Sequence, residues 1–165
     1  MNPASSKSAN DQVPALHKRI ALESAWSRET PSVFDFGAGV AGKVDKYCQE
    51  HFTSYFPYDP FNRDERTNAN SLLNTHECDV VLCANVLNVV EDQHLVDVTS
   101  LLSEITCHTK DRRLYISVYW NNKLPVDRQV GDYFQRNRPL SWYIPHLKPW
   151  FASIKKGYNY LVCFP

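Results

Sequence analysis

Three groups of residues in this chain have the types and spacing to hold a ligand. The first is Asp35-Phe36-Gly37-Ala38-Gly39-Val40-Ala41-Gly42. Glycines this close together let the backbone bend sharply and let a ligand approach where a Cβ would stand in the way. The N–H groups at the start of a following helix would suit a polar or anionic group. The second is Asp59, twenty residues beyond Gly39, whose two carboxylate oxygens can accept both hydroxyls of a ribose. The third is Asn85-Val86-Leu87-Asn88, which closes the most apolar run of the chain and sets polar side chains at the mouth of a crevice. Together they describe a site for an adenosine-type ligand.

The glycines alone fit a nicotinamide or flavin site equally well. Asp35 shifts the balance. Dinucleotide sites usually carry an apolar residue two places before the first glycine, whereas a carboxylate there can orient the loop and face a cationic amino group. Each residue also has a purely structural reading. The glycines can make a tight turn, Asp59 can be a turn acid before Pro60, and Asn85 can cap a helix.

The elements that must position these residues follow from periodicity. Val13, Leu16, Ile20, Leu22 and Trp26 predict a helix from Val13 to about Arg28. Val33–Phe36 reads as a strand, Gly42–His51 as a helix and Thr53–Tyr58 as a second strand. Asp64–Thr75 has only Leu72 and Leu73 to bury, so any third strand there is short. Asp79–Asn85 is a continuous apolar run, as in a sheet covered on both faces. A helix from Glu91-Asp92 to about Thr106 carries Leu95, Val98, Leu101, Leu102 and Ile105 on one stripe. Leu114–Trp120 reads as a strand, residues 121–149 as a loop-rich lid insert with four prolines, and residues 151–164 as a β-hairpin. The alternation predicts an α/β fold: a Rossmann-like, mostly parallel sheet in three α/β/α layers, closed by a C-terminal antiparallel hairpin. Residues 1–12 read as a flexible tail and 13–165 as one domain.

The motifs VFDFGAG, YFPYDPF and CDVVLCANVLNVVED resemble those of the class I methyltransferases that use S-adenosylmethionine (SAM). The resemblance runs from Val33 to Trp120 and takes in the terminal hairpin; VLNVVED is also similar to small bacterial and phage-type members. It implies SAM as cofactor, with Asp35, Gly37, Ala38 and Gly39 along its methionine end and Asp59 on the ribose. Pro60 and Phe61 would lie near the adenine, with Asn70 and Ser71 reading its amino group. Asn85 and Leu87 would border the cofactor, and Lys18 or Arg19 would reach its carboxylate. Asn88, Tyr119 and Trp120 become candidates for the acceptor pocket.

Methyl transfer from a sulfonium needs positioning more than covalent help, so the lack of a nucleophile–base pair does not argue against an enzyme. No Pro-Pro-aromatic motif follows Asn85 and no Pro-Cys occurs, which disfavours the schemes of DNA amino- and cytosine C5-methylation. A small molecule, a protein or an RNA remains as the unidentified acceptor. Residues 110–156 hold ten Lys and Arg against three acids, a surplus of seven positive charges. Such a segment offers a surface for an anionic partner. The competing functions are a non-catalytic SAM-fold module, docking through this basic, aromatic third, and a nicotinamide oxidoreductase. The five cysteines form no CxxC pair, and the six histidines show no metal spacing and read as surface residues. No membrane span is expected, and a cytoplasmic location fits the thiol pattern.

Overall fold

The computed structural model describes residues 12–27, 30–124, 126–130 and 133–165. The tail expected over 1–12 lies outside them, apart from Gln12. In chain order the elements are α1 (Ala15–Ser27), β1 (Ser32–Phe36), α2 (Lys43–His51), β2 (Ser54–Tyr58), α3 (Glu65–Leu73), β3 (Val80–Ala84), α4 (Asp92–Cys107), β4 (Arg113–Ser117), β5 (Asp127–Val130), β6 (Tyr133–Arg136), α5 (Ile144–Leu147), β7 (Ser153–Lys156) and β8 (Leu161–Phe164).

Six strands form one sheet in the order β2-β1-β3-β4-β8-β7. The first four run parallel and β8 joins β4 antiparallel, with β7 paired antiparallel at the edge. The central strands are short apolar runs because helices cover both faces. On one face, Phe34, Phe36, Val81, Cys83, Leu114 and Ile116 pack beneath Leu95, Val98, Leu102 and Ile105 of α4. On the other, Val33, Val80 and Leu82 pack beneath Leu16, Ile20 and Ala21 of α1 and Val44 and Cys48 of α2. The period of two along β1 puts Asp35 on this second face, beside α1 and α2. The result is the expected Rossmann-like α/β/α sandwich with its antiparallel C-terminal hairpin.

Three local expectations change. Between Asp59 and Asp79 the chain forms α3 and a 3-10 turn, Thr75–Glu77, in place of a short third strand. Asp64 starts that helix, its carboxylate accepting the Thr67 N–H at 2.8 Å. Among the described residues no strand lies beyond β2, which edges the sheet. Second, β4 ends at Ser117, so Tyr119 and Trp120 leave the ladder. Third, the insert is not loop alone. It contains a β5–β6 hairpin, and Tyr143 and Leu147 are fully buried in the core beside α4.

Candidate functional site

The helix after β1 packs on one face of the sheet and the helix after β3 on the other. A crevice therefore opens where the carboxyl ends of these two neighbouring strands part. Both motifs end at this point. Gly37 (φ +76°) and Gly39 (φ +70°) occupy the left-handed region that favours glycine. A Cβ on Gly37 would stand 2.3 Å from Val86 Cγ2. Asn85, at the end of β3, also has positive φ (+60°), a conformation that Asn tolerates better than most residues. Its N–H bonds the Ser117 carbonyl at 2.9 Å, tying the mouth of the crevice to β4.

The glycine loop is clasped to the end of β2. The N–H groups of Gly37 and Ala38 both donate to the Tyr58 carbonyl, at 2.7 and 3.1 Å. Gly39 N–H donates to Asp59 Oδ2 at 3.0 Å. These three donors therefore face β2 and are taken up within the protein. The Gly39 carbonyl accepts from Arg63 Nε at 2.6 Å. Arg63 in turn bridges both oxygens of Asp45 in α2, and Asp45 accepts the Gly42 N–H at 2.6 Å. Arg63, Asp45 and Asn68 have no motif that sequence reading could seize on, because their roles depend on α3 folding back beside the loop.

Asp59 is largely buried. Its Oδ1 accepts from Phe61 N–H, Asn62 N–H and Asn62 Nδ2, at 3.0, 3.1 and 3.0 Å. A carboxylate has about four lone-pair sites, so Oδ1 is full and Oδ2 keeps room for one further hydroxyl rather than two. Asn68 fixes the same residue by its backbone, accepting from Asp59 N–H and donating to Asp59 O.

Asp35 is 1% exposed, and its Oδ2 receives His17 Nε2 at 2.9 Å and the Tyr55 hydroxyl at 2.8 Å. Burial, with the Asp35 charge beside it, pushes the Tyr55 hydroxyl well above its ordinary range, so it stays a donor. His17 departs from the surface reading of the histidines, which His51, His76 and His108 meet. The signal was present: Leu16, His17, Ile20 and Ala21 form a helical stripe, and His17 sits inside it. Lys18 and Arg19, expected to reach into the site, are exposed, and Arg19 Nε bonds Glu23 at 2.6 Å.

The remaining candidates divide. Pro60 and Phe61 are exposed next to Asp59. Asn70 is exposed on α3, where its oxygens accept from Asn74 Nδ2. Ser71 is fully buried and its hydroxyl donates to the Pro57 carbonyl at 2.7 Å. Leu87 is core. Asn88 is 2% exposed and its Oδ1 has no hydrogen-bond partner. Tyr119 and Trp120 do come together with Asn85, in a groove of about 820 Å³ running from α1 to the β7–β8 turn.

The basic third is less free than its composition implied. Arg136 is buried and holds the segment between β3 and α4, donating to the Val90 carbonyl at 2.9 Å and pairing with Asp92. Its guanidinium lies over the rings of Phe134 and Trp142. Arg138 pairs with Asp127, Arg113 with Asp111 and Lys110 with Glu77. Among the described residues, no group of three or more His, Cys, Asp or Glu is placed to hold a metal, and no helix is long and apolar enough to cross a membrane.

Strand order and helix layers together make a Rossmann-like α/β/α fold. Among solved structures, the chain is similar to a Burkholderia thailandensis 1,6-didemethyltoxoflavin-N1-methyltransferase with bound 1,6-didemethyltoxoflavin and S-adenosylhomocysteine, with a TM-score of 0.57 and 17% identity over 97% of this chain and 82% of that one. No family model and no curated protein matches the sequence.

Proposed function

We propose that this chain is a SAM-dependent methyltransferase that binds SAM in the β1/β3 crevice and methylates a small molecule in the adjoining groove. The observation that carries this reading is the switch-point turn. Gly37 has no room for a side chain against Val86, and Asn85 stands at positive φ beside it, where a buried ordinary turn would need neither. The side-chain-free turn at Gly37 would let the methionine end approach, with Asp35 buried behind it bracing the end of β1 through His17 and Tyr55. Oδ2 of Asp59 would take one ribose hydroxyl, and the exposed ring of Phe61 would cover the adenine. SAM would supply the methyl group; the protein's part is to align it with the acceptor and exclude water. The structural neighbour, which holds S-adenosylhomocysteine, supports this choice of ligand. A small acceptor is favoured because Arg136 of the insert is buried and Arg138 is paired with Asp127, which leaves fewer cations for a nucleic-acid backbone.

A second reading, SAM-fold binding without transfer, is favoured by one feature. Most of the hydrogen-bonding capacity of the glycine loop and Asp59 is used within the protein, which leaves Asp59 Oδ2 one place for a ribose hydroxyl and few polar groups to align a methyl donor. Calorimetric titration with S-adenosylhomocysteine and NAD tests the ligand, and a labelled-methyl screen over metabolites, protein, RNA and DNA separates enzyme from binder. Transfer to any of them supports the first reading; binding without transfer supports the second.

A further inference from the structure

The most exposed aromatic side chains among the described residues are Phe61, Tyr119, Trp120, Trp150 and Tyr158. Three of them, Tyr119, Trp120 and Tyr158, line the groove that adjoins Asn85. They come from two separate places, the exit of β4 and the β7–β8 turn, so they are not neighbours merely by sequence. Tyr158 is 81% exposed. Leaving such rings in water forgoes their burial, and a cluster of them marks a binding surface. The turn that presents Tyr158 also holds Asn159 at φ +63°, a second non-glycine residue in the left-handed region at this groove.

The charge of the lining is as informative as its rings. No Asp, Glu, His or Lys lines the groove among the described residues, and its single charged side chain is Arg19. The nearby Glu23 carboxylate is already engaged by two lining residues, Arg19 Nε at 2.6 Å and the Tyr160 hydroxyl at 3.2 Å, so a cationic ligand would have to compete with Arg19 for it. The volume of about 820 Å³ lies within the range of small-molecule sites.

We propose that the groove is the acceptor site and takes a planar aromatic molecule, uncharged or anionic, laid against Tyr119, Trp120 and Tyr158. This rests on the methyltransferase reading, which gives the groove its acceptor role. The test is calorimetry on the full chain with and without S-adenosylhomocysteine, using 7-hydroxycoumarin and tryptamine as probes. Wild type, Trp120→Ala and Tyr158→Ala are compared, each checked by circular dichroism; both side chains are half-exposed or more, so both variants should fold. The expected result is 7-hydroxycoumarin binding that weakens about tenfold in either variant, with tryptamine at least tenfold weaker than 7-hydroxycoumarin in the wild type. Affinity for S-adenosylhomocysteine should stay within about threefold of wild type, because neither ring lies at the glycine loop. Absent 7-hydroxycoumarin binding, equal binding of tryptamine, or affinity unchanged in both variants overturns the proposal. Failure of the cofactor reading shows separately, as no heat with S-adenosylhomocysteine in the wild type while the ring-dependent binding persists.

Discussion

Gly37 and Val86 are in contact so close that a single added methyl group on Gly37 would fall 2.3 Å from the Val86 Cγ2. Contact of this kind joins the end of β1 to the end of β3 and shapes the crevice between them. The Gly37→Ala variant must move a valine that is itself packed in the core, and must also hold alanine at φ +76°. The cost should be about 2 kcal/mol or more. The expected outcome is a lower Tm together with loss of S-adenosylhomocysteine binding. Val86→Ala in the same background should restore part of the stability, by relieving the clash while leaving the φ penalty.

Asp59 organises the loop from the other side. Its Oδ1 and Oδ2 together accept four hydrogen bonds, from Gly39, Phe61 and twice from Asn62. Asp59→Ala strips these donors of their partner and should cost about 2–3 kcal/mol in urea unfolding. It should also weaken S-adenosylhomocysteine at least tenfold. Unchanged affinity in a folded Asp59→Ala protein would refute the ribose assignment.

Arg136 and Asp92 should respond unequally, though they form one ion pair. The Arg136 side chain is 1% exposed and the Asp92 side chain 85% exposed. Asp92→Asn keeps an exposed acceptor oxygen in reach of Arg136 and should cost about 1 kcal/mol. Arg136→Met leaves the Val90 carbonyl without its donor beneath the hairpin and should cost about 2 kcal/mol. Equal effects in thermal unfolding would contradict the burial described for Arg136.

The cysteines offer a check on the core. Cys48, Cys78, Cys83 and Cys163 are buried, and Cys107 is exposed. Burial pushes the Cys78 and Cys163 thiols up to about 12 and drives Cys48 and Cys83 higher still. Their thiolate fractions near neutrality are therefore negligible. Iodoacetamide should alkylate one thiol rapidly in the native protein and all five in denaturant, as counted by mass spectrometry. Rapid labelling of Cys48 would contradict the packing of α2 against β1.

Much of the fold was legible from local pattern. The apolar run at 79–85, the stripe on α4 and the glycine turn each declare one element, because burial dictates their residue types. The switch-point crevice follows from that order of elements. What was not legible depends on contacts distant in sequence. The 64–75 segment is too polar to advertise either strand or helix, and the Asp64 cap, the Asn68 bonds to Asp59 and the Ser71 bond to Pro57 fix it as α3. His17 was misread because a polar residue on an apolar stripe shows its partner, Asp35, only once β1 and α1 are packed. Arg136 looked like a surface cation because nothing within the hairpin reveals that the Val90 carbonyl, 46 residues away, receives it.

The most direct test of the central claim is calorimetric titration of the wild-type chain with S-adenosylhomocysteine, with NAD as the control. One site of micromolar affinity for S-adenosylhomocysteine, abolished in Gly37→Ala, and no heat with NAD are expected. No heat with S-adenosylhomocysteine from folded protein, or comparable binding of NAD, would contradict a SAM site in the β1/β3 crevice.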